Sequence, residues 1–191
     1  MKRALFALPL LVSLGACSPS VKYYALEPMT SVGGARDAKA GPVIEFSQVR
    51  FPDYLNNPQM VMRGSGGEMR VDEKRRWVED LGPNFQRTLV QDVASLARTG
   101  SVFVSGASDA TARYQVQVDV SRFEVTDDGS AQLWVSYTIS EPGAKGGSAQ
   151  IFTEQLSQPV GGRSTEDKVA ALSALVESLA KSIAHRMNIG A

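Results

Sequence analysis

Few residues of this 191-residue chain have the types and the spacing that catalysis needs. A nucleophilic triad or dyad requires a base beside the nucleophile, and the only histidine, His185, is interpreted as a cation near the end of a helix. Two glycine-rich stretches, 64–67 and 143–147, lack the spacing and the Lys-Ser/Thr ending of a phosphate loop, so we predict turns. Asp127 and Asp128 could bind calcium, although a turn is favoured. The sequence therefore predicts no catalytic residue, and a carboxylate-only enzyme stays open as the alternative.

The only cysteine, Cys17, closes an N-terminal stretch with the features of a secretory signal. A cationic tip is followed by the apolar run 4–12 and by the sequence Leu-Gly-Ala at 14–16. The run is much shorter than the roughly 20 apolar residues that span a bilayer. Residues 1–16 are therefore predicted to be a signal peptide that is removed from the mature chain.

The sequence Leu-Gly-Ala-Cys at 14–17 resembles the lipobox of bacterial lipoproteins, in which the thiol is acylated and the cysteine becomes the first mature residue. The resemblance implies that Cys17 is a lipidated membrane anchor, and the alternative is an ordinary signal peptide with an incidental cysteine. Serine at Ser18, where aspartate would favour the inner membrane, resembles the sorting signal for the outer membrane. Because acylation uses the thiol, only an all-carboxylate metal site would remain, and we expect no metal and no cofactor.

The mature chain has the size and charge of a single, nearly neutral domain. Removal of residues 1–16 takes two of the 20 basic residues, so 18 basic residues face 20 acidic ones. This balance provides no basic surplus for nucleic acid. The length suits one domain, and without a second cysteine that domain must be held together by apolar burial.

The region after the cysteine differs in composition from the rest of the chain. Residues 17–42 mix Pro, Ser, Gly and Ala, and are predicted to be the lipidated N-terminus and a tether. The short apolar segment 23–26 could be an edge strand of the domain or an exposed apolar patch in the tether, and the strand is favoured. Residues 43–191 are predicted to form a single α+β domain.

Alternating apolar residues predict most of the strands of this domain. The predicted strands are 43–51 with a bulge near Ser47-Gln48, 59–63, 69–77, 102–104, and an antiparallel meander over 114–120, 133–139 and 149–156. Apolar residues at helical spacing predict a helix at 83–98, ended by Gly100 in the left-handed conformation, and a second helix at 165–188. Ser164 and Asp167 resemble a capping box at its start. The predicted fold is α+β, a mainly antiparallel sheet with two long helices packed on one face.

Several large side chains between positions 51 and 81 lie in predicted loops or at predicted strand ends. Side chains at such positions can stay exposed. At these positions the sequence resembles the PqiC-like auxiliary lipoproteins of ABC-type transport systems. That family has Tyr-x-Leu shortly after the lipid cysteine, then Pro-x-Tyr-Leu-x-x-Pro-Gln-x-Val-x-Arg, and then Arg-Trp with a leucine downstream. The residues that match are Tyr24, Leu26, Pro52, Tyr54, Leu55, Pro58, Gln59, Val61, Arg63, Arg76, Trp77 and Leu81. Asn57 stands where the family pattern leads us to expect an arginine.

The resemblance implies an outer-membrane lipoprotein that faces the periplasm and serves an MCE-type ABC transport system, in lipid trafficking between the two membranes and in envelope integrity, without catalysis. It implies an MCE-domain protein that bridges the periplasm as partner, and a homo-oligomeric ring. In such a ring we expect Tyr54, Leu55, Pro58 and Trp77 to be partner-binding side chains, while a structural role stays open for each of them. The alternative function is an outer-membrane assembly factor that docks on a β-barrel partner.

Overall fold

The structure, a computed structural model, describes residues 20–29, 41–108, 110–144 and 148–189. The predicted signal peptide, the predicted lipid site Cys17 and residues 30–40 of the predicted tether lie outside the described residues. In the part of the chain that the structure describes, no helix combines the length and the apolar character needed to cross a membrane.

The described residues form one eight-stranded sheet and two long helices, which confirms the predicted α+β class. The strands are β1 Lys22–Tyr24, β2 Ile44–Phe46, β3 Gln59–Arg63, β4 Met69–Trp77, β5 Val102–Val104, β6 Tyr114–Thr126, β7 Ser130–Glu141 and β8 Ser148–Pro159. The helices are α1 Leu81–Ala97 and α2 Thr165–Arg186, and short 3-10 turns occupy Asp53–Leu55 and Ser65–Gly67.

The meander β6–β7–β8 is antiparallel throughout, as its alternating residues predict. One irregularity was not predicted: the register between β6 and β7 shifts between Val120 and Arg122. Side chains alternate between the two faces of a sheet, so one extra residue in a strand moves the side chains that follow it to the opposite face. Val120 and Phe123 therefore both point into the core, and Glu124 lies on the opposite face of β6.

The other half of the sheet contains parallel pairings that the sequence did not predict. Both β2 and β3 lie along the same edge of β6 and run parallel to it, while β1 joins β4 and β5 joins β2, again in parallel. These pairings are only two or three residues long, so the antiparallel ladders still dominate the sheet by length. Hydrophobic alternation reveals which face is buried, but it does not reveal the direction of the neighbouring strand.

The predicted change of phase after β2 is present. Phe46 lies opposite Val116 of β6, and Arg50 lies opposite Asp119 of β6. The segment 46–50 therefore contains one more residue than the stretch of β6 that it faces. Regular pairing stops at Phe46, because the extra residue disrupts the ladder, yet Val49 is still buried.

The two helices cover one face of the sheet, as predicted. Helix α1 begins two residues before Pro83, and the prediction that Gly100 ends it was wrong, since Arg98 adopts the left-handed conformation with φ 50°. Helix α2 begins with the predicted capping box: Ser164 Oγ accepts from the Asp167 amide, and the Asp167 side chain accepts from the Ser164 amide. The centre of the core contains Phe85 of α1, whose ring meets Phe123 edge-on at 5.1 Å between centroids.

Candidate functional site

Two residues of the family pattern meet at one buried carboxylate. The Tyr54 hydroxyl donates to Glu124 Oε2 at 3.0 Å, and the Arg63 guanidinium donates to both carboxylate oxygens, through Nε to Oε1 and through Nη2 to Oε2 at 3.3 Å. Arg122 Nε lies 3.3 Å from Oε1. The side chain of Glu124 is fully buried, although it lies on the face of β6 away from the helices. We call these four residues, Tyr54, Arg63, Arg122 and Glu124, the carboxylate clasp.

The surrounding elements explain why the clasp forms. The irregularity after Val120 turns Glu124 away from the core, and the hydroxyl of Tyr54, from the 3-10 turn Asp53–Leu55, reaches its carboxylate. Burial raises the pKa of Tyr54 to about 12, with a further contribution from Glu124, so its hydroxyl stays a hydrogen-bond donor at neutral pH. The hydrogen bond to Glu124 raises the pKa of Arg63. A carboxylate that accepts from one guanidinium group and one hydroxyl, and forms an ion pair with a second guanidinium group, is suited to joining a loop to a sheet.

The remaining residues of the 52–63 and 76–81 segments support the same loop. Leu55 and Trp77 are 3% and 5% exposed and belong to the core, as does Leu81. The Trp77 amide donates to the Pro58 carbonyl at 2.8 Å, and the Gln59 amide donates to the Asn57 side chain at 3.0 Å. Pro52 precedes the 3-10 turn Asp53–Leu55. The expectation that Leu55 and Trp77 present themselves to a partner conflicts with their burial in the single chain, whereas Pro58 is exposed.

The N-terminal segment is part of the folded domain, ahead of position 43. The predicted strand at 23–26 is present as β1, which pairs with β4, and Leu26 is 2% exposed in the core. The Tyr24 hydroxyl donates to Glu166 of α2 at 3.1 Å. Strand β1 and the residues that follow it, up to position 29, therefore link the N-terminal part of the described chain to both helices.

Three polar side chains of the helices hold the backbone after β1. The amide of Leu26 donates to Asn84 Oδ1 at 3.1 Å, that of Glu27 donates to Ser173 Oγ at 3.0 Å, and that of Met29 donates to Asp92 Oδ1 at 2.7 Å. We call Asn84, Ser173 and Asp92 the N-terminal clamp, and all three are buried. A groove of about 520 Å³ runs between this segment and α2.

The least expected member of the clamp is Asp92, which the sequence analysis did not single out. It lies in the buried stripe of α1, its side chain is shielded from solvent, and its Oδ2 atom has no hydrogen-bond partner among the described residues. Burial raises the pKa of Asp92 to about 6, although the hydrogen bond from the Met29 amide acts in the opposite direction. A polar residue at an apolar position of the helical pattern is the sequence signal that could have identified it.

The comparison with protein families decides the identity of the fold and its broad role. The model of the ABC-type transport auxiliary lipoprotein component family matches residues 24–184. The chain belongs to this family. No curated protein matches the sequence at a significant level.

Solved structures show the same fold as this auxiliary lipoprotein at low sequence identity. A crystal structure described as an uncharacterized protein aligns with a TM-score of 0.72 and 17% identity, and the alignment covers 88% of this chain and 99% of that one. A crystal structure of a protein from Xanthomonas campestris aligns with a TM-score of 0.65 and 14% identity over 85% of this chain and 92% of that one.

The described residues of the auxiliary lipoprotein contain no group of three or more His, Cys, Asp and Glu side chains placed to hold a metal ion. His185 is exposed in the last turn of α2. Asp127 accepts from Arg70 Nη1 at 3.0 Å, and Asp128 Oδ1 accepts from the amide and the hydroxyl of Ser130 at 3.0 and 2.8 Å. Asp127 therefore forms an ion pair with β4, and the amide of Gly129 donates to the Thr126 carbonyl at 3.1 Å, as in a β-turn, which agrees with the favoured interpretation of this pair.

Proposed function

We propose that this lipoprotein is anchored in the outer membrane through Cys17 and serves an MCE-type ABC transport system in lipid trafficking between the inner and outer membranes. The family match over residues 24–184 is the observation that carries the proposal. The position of Cys17, directly after Leu-Gly-Ala, supplies the anchor, because several acyl chains hold a protein on a membrane effectively permanently.

The proposed role is to receive a partner, without catalysis. Of the side chains that the family pattern picks out, Tyr54 and Arg63 belong to the carboxylate clasp, and both hold a loop on the sheet. Leu26, Leu55, Trp77 and Leu81 belong to the core. A domain of this size does not cross a periplasm. A system that moves lipid between two membranes therefore needs a bridging protein, for which an MCE-domain protein is the proposed partner.

The proposed assembly is a homo-oligomeric ring with β8 at its interface. Among the strands that the structure describes, the 12-residue β8 pairs only with β7, so its other edge is unpaired in this part of the chain. Natural proteins protect long edges of this kind, and a closed symmetric assembly is one way to do so.

Cell fractionation of the Cys17→Ala variant tests the anchor. The thiol alone carries the thioether-linked lipid, so the folded domain should move from the outer-membrane fraction to the soluble periplasm. A Ser18→Asp variant is the matched control: it keeps the cysteine and should move the protein to the inner membrane. If the Cys17→Ala protein stayed with outer membranes, the anchor would be wrong.

A further inference from the structure

We propose that the outer face of the β1–β4 edge lies against the lipid headgroups of the leaflet that holds the chain's own lipid anchor. The surface consists of Val21, Tyr23, Lys74, Arg76 and Val78, and we call it the β1–β4 patch. The inference rests on the proposed acylation of Cys17, and it identifies which surface of the domain the membrane contacts.

Strand geometry places the patch on the face away from the helices. Tyr23 lies opposite Arg76 in the parallel pairing of β1 with β4, while the next pair, Tyr24 and Trp77, faces inward. Lys74 is exposed two residues before Arg76, where the register between β3 and β4 shifts. Tyr23 and Val78 are each 61% exposed.

The patch combines apolar side chains with cations that lack an internal partner. Val21, Tyr23 and Val78 are three of the five large hydrophobic side chains that are exposed among the described residues. In that same part of the chain, neither Lys74 nor Arg76 forms a side-chain ion pair, and the Arg76 Nε atom is buried without an acceptor. This composition suits a membrane interface, where tyrosine lies at headgroup level and cations meet lipid phosphates.

The neighbouring cations are already neutralised, which identifies the two free ones as the candidates for phosphate. Lys22 lies 3.8 Å from Glu166, and Arg75 contacts Asp72 at 2.5 Å. Glu73 lies next to the patch and accepts a hydrogen bond from Gln59 at 3.4 Å. Its negative charge offsets part of the positive charge of the β1–β4 patch.

The length of chain between the lipid and the patch limits the possible orientations. Four residue steps separate Cys17 from Val21, and an extended chain covers about 3.6 Å per residue, so the distance is at most about 14 Å. The headgroup layer of one leaflet is about 5–8 Å thick. A domain held on so short a tether, and fixed to that tether by β1, must turn this edge toward the bilayer.

Depth measurements on the acylated full-length chain in phospholipid vesicles test the inference. Because acylation uses Cys17, the Val78→Cys variant offers one free thiol for a fluorescent probe. The Ala107→Cys variant is the matched control, since Ala107 is also exposed and closely follows β5, which lies at the opposite end of the strand order from β1. Lipids with a nitroxide in the headgroup should quench the probe at position 78 several-fold more than the probe at position 107.

Charge variants test the role of the two free cations in the same assay. When the vesicles contain an anionic phospholipid, the change Lys74→Gln with Arg76→Gln should weaken the contact about fivefold per cation, since one basic residue at an anionic surface contributes about 1 kcal/mol. The change Arg98→Gln with Arg113→Gln is the control: it removes equal charge near the other end of α1, about 25 Å along the helix, and should have no effect.

The outcomes separate the inference from the anchor on which it rests. If the protein is attached to vesicles and both probes are quenched equally weakly, the anchor stands and the patch is refuted. Equal effects of the two charge pairs would also refute the role of Lys74 and Arg76. If the acylated protein fails to attach, the anchor itself is wrong, and the inference falls with it.

Discussion

Glu124 is the residue on which the family-pattern loop depends most. Its carboxylate is fully buried and is neutralised by Arg63 and Arg122. The Tyr54 hydroxyl donates a further hydrogen bond to this carboxylate. A buried charge is tolerated only where such partners surround it, and removal of one member leaves the others without compensation.

We expect the Glu124→Gln variant to lose about 2–4 kcal/mol of the free energy of unfolding, somewhat less than a completely buried ion pair, because Arg63 is partly exposed. Tyr54→Phe removes a single hydrogen bond to a charged group and should cost about 1.5–3 kcal/mol. Urea unfolding measures both values. Glu68→Gln, a carboxylate in the exposed ion pair with Arg70, is the control and should change little. Equal stability of Glu124→Gln and Glu68→Gln would contradict a stabilising clasp.

Asp92 predicts a dependence of stability on pH. Burial raises its pKa from the ordinary 3.8 to about 6, so the folded state binds the proton more tightly than the unfolded state. Its contribution to stability is therefore fully present below about pH 4 and is lost as the pH rises through 6.

The Asp92→Asn variant keeps an acceptor for the Met29 amide but cannot ionise. Relative to this variant, the Tm of the parent should fall by at least 2 °C between pH 5 and pH 8, the shift that about 1 kcal/mol produces in a domain of this size. Thermal unfolding at both pH values gives the comparison. Parallel Tm curves for parent and variant would show that Asp92 does not titrate in the folded protein.

At the residue scale, the sequence singled out two members of the carboxylate clasp but not the residue at its centre. The family pattern picked out Tyr54 and Arg63, yet Glu124, to which both bind, belongs to no motif. Its burial depends on an irregularity of β6 and on a loop that is distant in sequence, and neither is visible in local periodicity. For the same reason, Leu55 and Trp77 were expected at a partner interface and are core residues in the structure.

At the element scale, prediction succeeded where one physical rule dominates. The strand Gln59–Arg63, the strand Met69–Trp77 and the capping box at Ser164 follow from alternation and capping chemistry, and the structure has them as predicted. The parallel pairings of β1, β2 and β3 could not be predicted, because strands this short bond to whichever edge the rest of the fold leaves open.

Strand β8 carries the prediction at this scale, because its unpaired edge is the proposed ring interface. Lysine on an edge strand opposes pairing with another strand, so Ile151→Lys with Gln155→Lys should convert an oligomeric parent to monomers. Light scattering on the mature chain measures the mass, and circular dichroism confirms that the fold is kept. The Val71→Lys variant is the control, since Val71 is an exposed residue of β4, and it should leave the mass unchanged. A monomeric parent would refute the ring.

At the scale of the whole molecule, the N-terminal clamp and the β1–β4 pairing connect residues 22–29 to the sheet and to both helices. The segment 22–29 therefore belongs to the domain. With the proposed anchor at Cys17, this attachment would keep the domain close to the membrane, which suits the proposed receptor for a protein that bridges the periplasm.

The most direct test of this account is identification of the partner. The acylated protein with an affinity tag after position 191 is cross-linked in intact cells, solubilised in detergent, isolated, and its companions are identified by mass spectrometry. The Cys17→Ala variant is the control for contacts that require the membrane. The account predicts an MCE-domain protein among the cross-linked companions of the parent, depleted in the control. Recovery of an outer-membrane assembly protein in its place, with no transport component, would contradict it.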